Sequence, residues 1–180
     1  MEDNLNALSR KMLGFYSRNK HIGSRLGGLR FENFTDPGKP HKVFPELSCE
    51  AAQARYLVPF GVELSRDPNL NSGSDHDMAL MYAFEHMQGF YEKMLVGPNF
   101  LSAATSASMI DDAEKFLAFY TFLANHSAEH RILRFGYKPK HHYFYHMSTD
   151  AVRMNQRLGW TYADEDRQRN AVFIFGNIFK

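Results

Sequence analysis

Two apolar stripes separated by a glycine-proline stop constrain this chain most. Leu80, Phe84, Met87, Tyr91 and Met94 follow a 4-3-4-3 spacing, and Met109, Ala113, Phe116, Tyr120 and Leu123 repeat it. That spacing lays each set along one side of a 3.6-residue helix. Ser74 or Asp75 is suited to open the first helix and Gly97-Pro98 ends it. The second helix is expected from about Ser102 to Phe135, with a break near Asn125. Two such helices joined by a short turn bury their stripes most directly against each other, as an antiparallel hairpin.

The remaining segments read as helices added to that hairpin. Leu5 to Lys20 is a basic helix or arm ended by Gly23 and Gly27-Gly28, and residues 31–45 carry turn chemistry around Asp36-Pro37-Gly38. Leu47 to Arg66 is Ala-rich with a helical apolar pattern, and Pro59 is expected to kink or split it. Pro139 is suited to start a helix running towards Met154, and Asp164 a last one carrying Val172, Phe173, Phe175 and Ile178. Trp160-Thr161-Tyr162 is the one plausible β fragment, too short to build a sheet. The expected fold is therefore mainly α: a bundle of four or five helices with a central antiparallel hairpin and an extended N-terminal arm. Residues 1–45 form the basic arm and connector, and residues 46–180 the helical domain.

At 180 residues and 44% hydrophobic content, the chain has enough apolar material for one core. The single cysteine excludes an internal disulfide, and Cys49 reads as an inert, small core residue because nothing nearby marks an activated thiolate. No run approaches the roughly 20 apolar residues that cross a bilayer, and Met1 to Arg10 lacks the core of a signal peptide. The expectation is an intracellular protein, the nucleus included, with no membrane partner. Charge is segregated: residues 1–45 sum to +4, residues 46–129 to −8 and residues 130–180 to +5. Basic ends around an acidic middle suit an anionic polymer at the ends and a protein partner at the centre, or are simply solvated helix faces.

The densest functional signal lies between Arg131 and His146, which holds four Lys/Arg, three His and no acid, interleaved with Phe135, Tyr137, Tyr143, Phe144 and Tyr145. Cations contact phosphates and aromatic rings stack on bases, so Arg134, Lys138, Lys140, His141, His142 and His146 are candidate nucleic-acid-binding residues. The bland alternative places the aromatics in the core and the cations in solvent. Arg10, Lys11, Arg18, Lys20, Arg25 and Arg30 are open to the same pair of readings, a phosphate-binding arm or a soluble face.

Histidines 126 and 130, and 142 and 146, are spaced i, i+4 and share a helix face. A transition metal accepts that geometry but needs a third ligand, and no Glu-x-x-His pair is present, so no metal site is assigned. Asp164-Glu165-Asp166 reads either as a helix N-cap with favourable dipole charges, worth about 0.5–2 kcal/mol, or as a place where Glu165 ligates a divalent metal. No cofactor is expected, and a divalent metal only if other carboxylates complete the site.

Phe34-Thr35-Asp36-Pro37-Gly38-Lys39-Pro40-His41, Phe44-Pro45-Glu46-Leu47 and Glu50-Ala51-Ala52-Gln53-Ala54-Arg55-Tyr56-Leu57-Val58-Pro59 resemble a pattern in open reading frames abundant in dinoflagellate genomes. The resemblance extends through a helical hairpin to Lys138–His146 and Tyr162–Asp166, covering residues 31–170. That C-terminal stretch is also similar to the end of the catalytic region of CACTA- and Plavaka-like DDE transposases, where a His-rich helix precedes the last acidic helix of an RNase H-like core. The resemblance implies that Glu165 corresponds to the final acid of the triad, and the long helices to a helical insertion. The sequence departs by continuing into Arg167-Gln168-Arg169-Asn170 instead of Gly-Lys, and it lacks the strands that would bear the first two aspartates. The implied function is a transposase-derived helical domain without independent catalysis that binds nucleic acid or a protein. The alternative is a structural or protein-interaction subunit with no nucleic-acid role.

Overall fold

Two serines fix where the hairpin helices begin. In the computed structural model, which describes residues 2–30, 49, 51–132, 135–136, 139–150 and 154–158, Ser74 and Ser102 both adopt extended backbone. Their hydroxyls accept hydrogen bonds from Asp77 N (3.2 Å) and Thr105 N (3.1 Å). Each satisfies an amide that the first turn of a helix leaves unpaired. The hairpin consists of α3 (Asp75–Val96) and α4 (Ala103–Glu129), preceded by α1 (Glu2–Arg18) and α2 (Ala51–Ser65) and followed by α5 (Pro139–Asp150) and a 3-10 turn (Gln156–Leu158). The fold is mainly helical, a small bundle around an antiparallel hairpin. Among the described residues the one β pairing is an isolated bridge between Phe100 and Met154.

α4 shows no break at Asn125, and it stops six residues short of Phe135. Asn125 merely carries low helix propensity, which tertiary packing overrides. The stop is a Schellman closure: Arg131 N reaches Ala128 O (3.0 Å) and Ile132 N reaches Ser127 O (2.8 Å), with Arg131 in the left-handed region at φ 55. Pro59 lies inside α2, one residue before the buried Phe60.

Close approach is bought with glycines. A Cβ on Gly61 would fall 2.3 Å from the Phe84 ring, so α2 can cross α3 with that ring lying over its backbone. Phe90, Met94, Leu101, Met109 and Ala113 form the core of the closed end of the hairpin, and Phe144 of α5 seals it edge-on against Phe90 and Phe116. Ala79, Ala83 and Leu123 form a smaller cluster towards the other end, with Phe116, Phe119 and Phe135 around it.

The basic N-terminal segment is packed down as well as helical. Met12, Phe15 and Tyr16 of α1 join Ile22, Leu26, Leu29 and Phe60 in a third cluster, and Cys49 packs partly buried beside them. The connector 31–45, the β fragment 160–162 and the helix expected from Asp164 lie outside the described residues.

Candidate nucleic-acid interface

Pro139 opens α5, where a missing amide costs nothing. From there a short helix divides into two sides. Phe144, Met147 and Ser148 face the hairpin, and Ser148 is fully enclosed with its hydroxyl donating to Phe144 O at 2.8 Å. Ser148 thereby buries its polar group with a partner in place.

On the outer side, His142, Tyr143, Tyr145 and His146 are exposed, Tyr143 at 70%. The His142 and His146 rings meet edge-on with centroids 4.4 Å apart, and Tyr145 lies beside His146 at 5.7 Å. Two imidazoles and two phenols thus share one solvent-facing surface little more than one turn long. Large rings this exposed on a short helix present π faces on which bases can stack.

The candidate residues separate into three groups. His142 and His146 lie on the outer strip. His141 turns to the flank, its ring 4.3 Å from that of Tyr120, whose hydroxyl donates to Gly136 O at 3.0 Å. It helps hold the approach to α5. Lys140 falls in the first turn of α5, and Arg134, Lys138 and Glu165 lie outside the described residues. Tyr143 and Tyr145, which cation counting alone does not select, complete the strip.

The other histidine pair belongs to a stack at the open end of the hairpin. His126 lies 4.2 Å from His130 and 5.3 Å from His76, with Phe122 and Phe135 adjacent. His130 Nδ1 donates to His126 O (2.8 Å), and His76 Nδ1 lies 3.3 Å from Asp77 Oδ1. The Ser72 hydroxyl and amide, followed by His76, hold the Asp77 carboxyl far below the usual carboxylate range. Among the described residues no group of three or more His, Cys, Asp or Glu is arranged to hold a metal ion.

One polar cluster lies outside every motif drawn from the residues. Asp112, buried in the hairpin interface, accepts from His86 Nδ1 (3.0 Å) and from Lys93 Nζ. His86 also stacks nearly parallel on Phe119. The signal was available: Asp112 lies three residues after Met109 and four before Phe116, at a core position of the apolar stripe.

The closed end of the hairpin carries an exposed apolar surface instead. Val96 (88% exposed), Phe100 (75%), Leu95, Met154 and Leu158 are all exposed there, with Phe100 bridged to Met154. No helix among the described residues is long and apolar enough to cross a membrane. The chain matches no protein-family model, no curated protein and no solved structure.

Proposed function

We propose that this chain is a transposase-derived helical binding module without independent catalysis, and that it contacts single-stranded nucleic acid through the outer side of α5. The observation that carries this reading is the exposed strip of His142, Tyr143, Tyr145 and His146 on a helix whose opposite side is locked into the bundle. Stacking on tyrosine is tolerant of sequence, and the basic residues around the helix start supply phosphate contacts. The sequence resemblance to transposases supports the ancestry, and among the described residues there is no strand to carry the catalytic companions that Glu165 would need.

Fluorescence anisotropy with a labelled oligothymidylate tests the contact. Binding should weaken steeply with added salt, and Tyr143→Ala should cost about 1–3 kcal/mol. Replacing Lys138, Lys140, His141 and His142 together by Ala should abolish it. Binding that ignores salt, or that survives those substitutions, overturns the assignment.

A protein-interaction subunit is the second reading, favoured by the apolar end formed by Val96, Phe100, Met154 and Leu158. Exposed apolar patches of this kind mark docking surfaces for apolar side chains of a partner protein. Purification from the native source would then give a stoichiometric complex free of nucleic acid, and Val96→Asp with Phe100→Ser would break it.

A further inference from the structure

Between α1 and α2 runs a cleft of about 870 Å³, a size that accommodates small organic ligands. Arg10, Gly14 and Arg18 line its α1 side at four-residue intervals, so two guanidiniums flank a glycine on one helix face. Glu63 and Arg66 line the α2 side, over a floor that includes the buried Phe60 and Val62.

Gly14 is the informative residue. Its φ is not positive, and an added Cβ would meet nothing nearer than Arg18 Nη1 at 3.6 Å. Alanine would fit and would favour the helix. Packing therefore does not require glycine here, and what its absence of a side chain leaves is a shallow notch with the Arg18 guanidinium lying against it and Arg10 one turn away along the cleft.

The cations around that notch are only loosely committed. At the edge of the cleft the Lys11–Asp67 pair is the firmer one and stays in place, while Arg18 pairs with Glu63 across the cleft, Arg66 with the half-buried Glu85, and Arg10 makes no ion pair among the described residues. Exposed pairs of this kind contribute little and exchange readily. Guanidinium groups bind phosphate oxygens in bidentate fashion, and a phosphate carrying two charges competes well against a single carboxylate. We infer that this cleft binds a phosphate ester of nucleotide size, its phosphates over Gly14 between Arg10 and Arg18 and its less polar body along Phe60 and Val62. Glu63 is then the internal competitor that the ligand displaces from Arg18. The site is separate from the outer side of α5 and stands without it.

Isothermal titration calorimetry on the full chain, with ADP and with inorganic pyrophosphate, tests the inference. ADP should bind more tightly than pyrophosphate. Arg10→Ala and Arg18→Ala should each weaken ADP about tenfold or more, while Glu63→Gln should tighten it several-fold. Gly14→Leu should block ADP without lowering the melting temperature. No ADP heat at millimolar concentration overturns the inference, as does equal or tighter binding of pyrophosphate. So does a Glu63→Gln protein that binds ADP no better than wild type, or an oligothymidylate that needs Arg10 and Arg18 while ADP does not.

Discussion

Asp112 occupies the space that a side chain at position 89 would need: a Cβ built on Gly89 would lie 2.8 Å from Asp112 Oδ2. The glycine and the carboxylate are therefore one device. Gly89 lies between His86 and Lys93 on α3, and both reach the same carboxylate across the interface, so Asp112 is held from two sides at one level of the hairpin. A buried carboxylate without partners is expensive, which makes any slip of α3 against α4 by a turn costly. The cluster works as a register pin more than as a source of net stability.

Gly89→Ala should consequently destabilise the protein, although removing a glycine from a helix interior normally helps by about 0.5–1 kcal/mol. The methyl group pushes on a short side chain that is tied at both oxygens, and overpacking of this sort costs about 1–3 kcal/mol. Urea denaturation of the variant measures it. An unchanged or raised midpoint would show that the interface relaxes freely and that the pin is loose.

Asn155 does for the closed end of the hairpin what Asp112 does for its middle. Its fully buried amide donates to Met94 O (2.9 Å), Gly97 O (3.1 Å) and Pro98 O (3.0 Å), while its side-chain oxygen accepts from Arg157 N. One carbonyl in the last turn of α3, that of its cap and that of the residue beyond are thus gathered by one side chain 57 to 61 residues further along. Asn155→Ala should cost about 2–4 kcal/mol, since an unsatisfied buried polar group costs about 1–3 kcal/mol and several carbonyls lose their donor together. Asn155→Asp should be at least as damaging, because it sets a carboxylate among carbonyl oxygens. Thermal melts of both variants decide this, and a melting point equal to wild type in either one removes the clasp.

How much of this was readable in the residues depends on what kind of signal each part leaves. Ser74, Gly97-Pro98 and Ser102 mark the hairpin ends by local chemistry, and the structure places the helix boundaries beside them. The stripe on α4 is also where expected, with Met109, Ala113 and Leu123 buried. On α3 the fully buried side shifts to Ala79, Ala83, Phe90 and Met94, because α2 as well as α4 packs on this helix and its apolar arc is wide. Alanine contributes little hydropathy, so close-approach positions hide from a periodicity count. Asn155 left no signal at all, since its partners are distant in sequence. On α5 the split between Phe144 inward and Tyr143 outward could not be read from composition, because both are aromatic and only packing separates them.

Arg131 closes α4 in a conformation that favours glycine. With φ at 55 its Cβ crowds the following carbonyl, a penalty of about 1–2 kcal/mol that glycine avoids. Arg131→Gly should therefore stabilise the protein by about 1 kcal/mol, less the extra entropy of a glycine in the unfolded chain. The comparison with Arg131→Ala isolates the conformational part, since alanine keeps the strain and loses the charge. A glycine variant no more stable than the alanine variant would mean the left-handed cap carries no strain.

Acid should loosen the contact between α1 and the end of α2 in a defined window. The Lys11 ammonium, 2.5 Å from Asp67 Oδ2, and then the Asn69 amide lower the Asp67 carboxyl from 3.8 to about 2. A depressed carboxyl binds protons more weakly in the folded state than in the unfolded one, so its contribution is fully present above the unfolded value. It is lost as pH falls from about 4 through about 2. Asp77, also held low, loses its contribution towards still more acid pH. Melting temperature against pH for wild type and Asp67→Asn separates the two carboxylates. Asp67→Asn should melt lower than wild type at neutral pH, and the gap should close between about pH 4 and pH 2 because wild type then loses the same contact by protonation. A gap that stays constant down to pH 2 would show that the Lys11–Asp67 pair does not tie the first helix to the bundle.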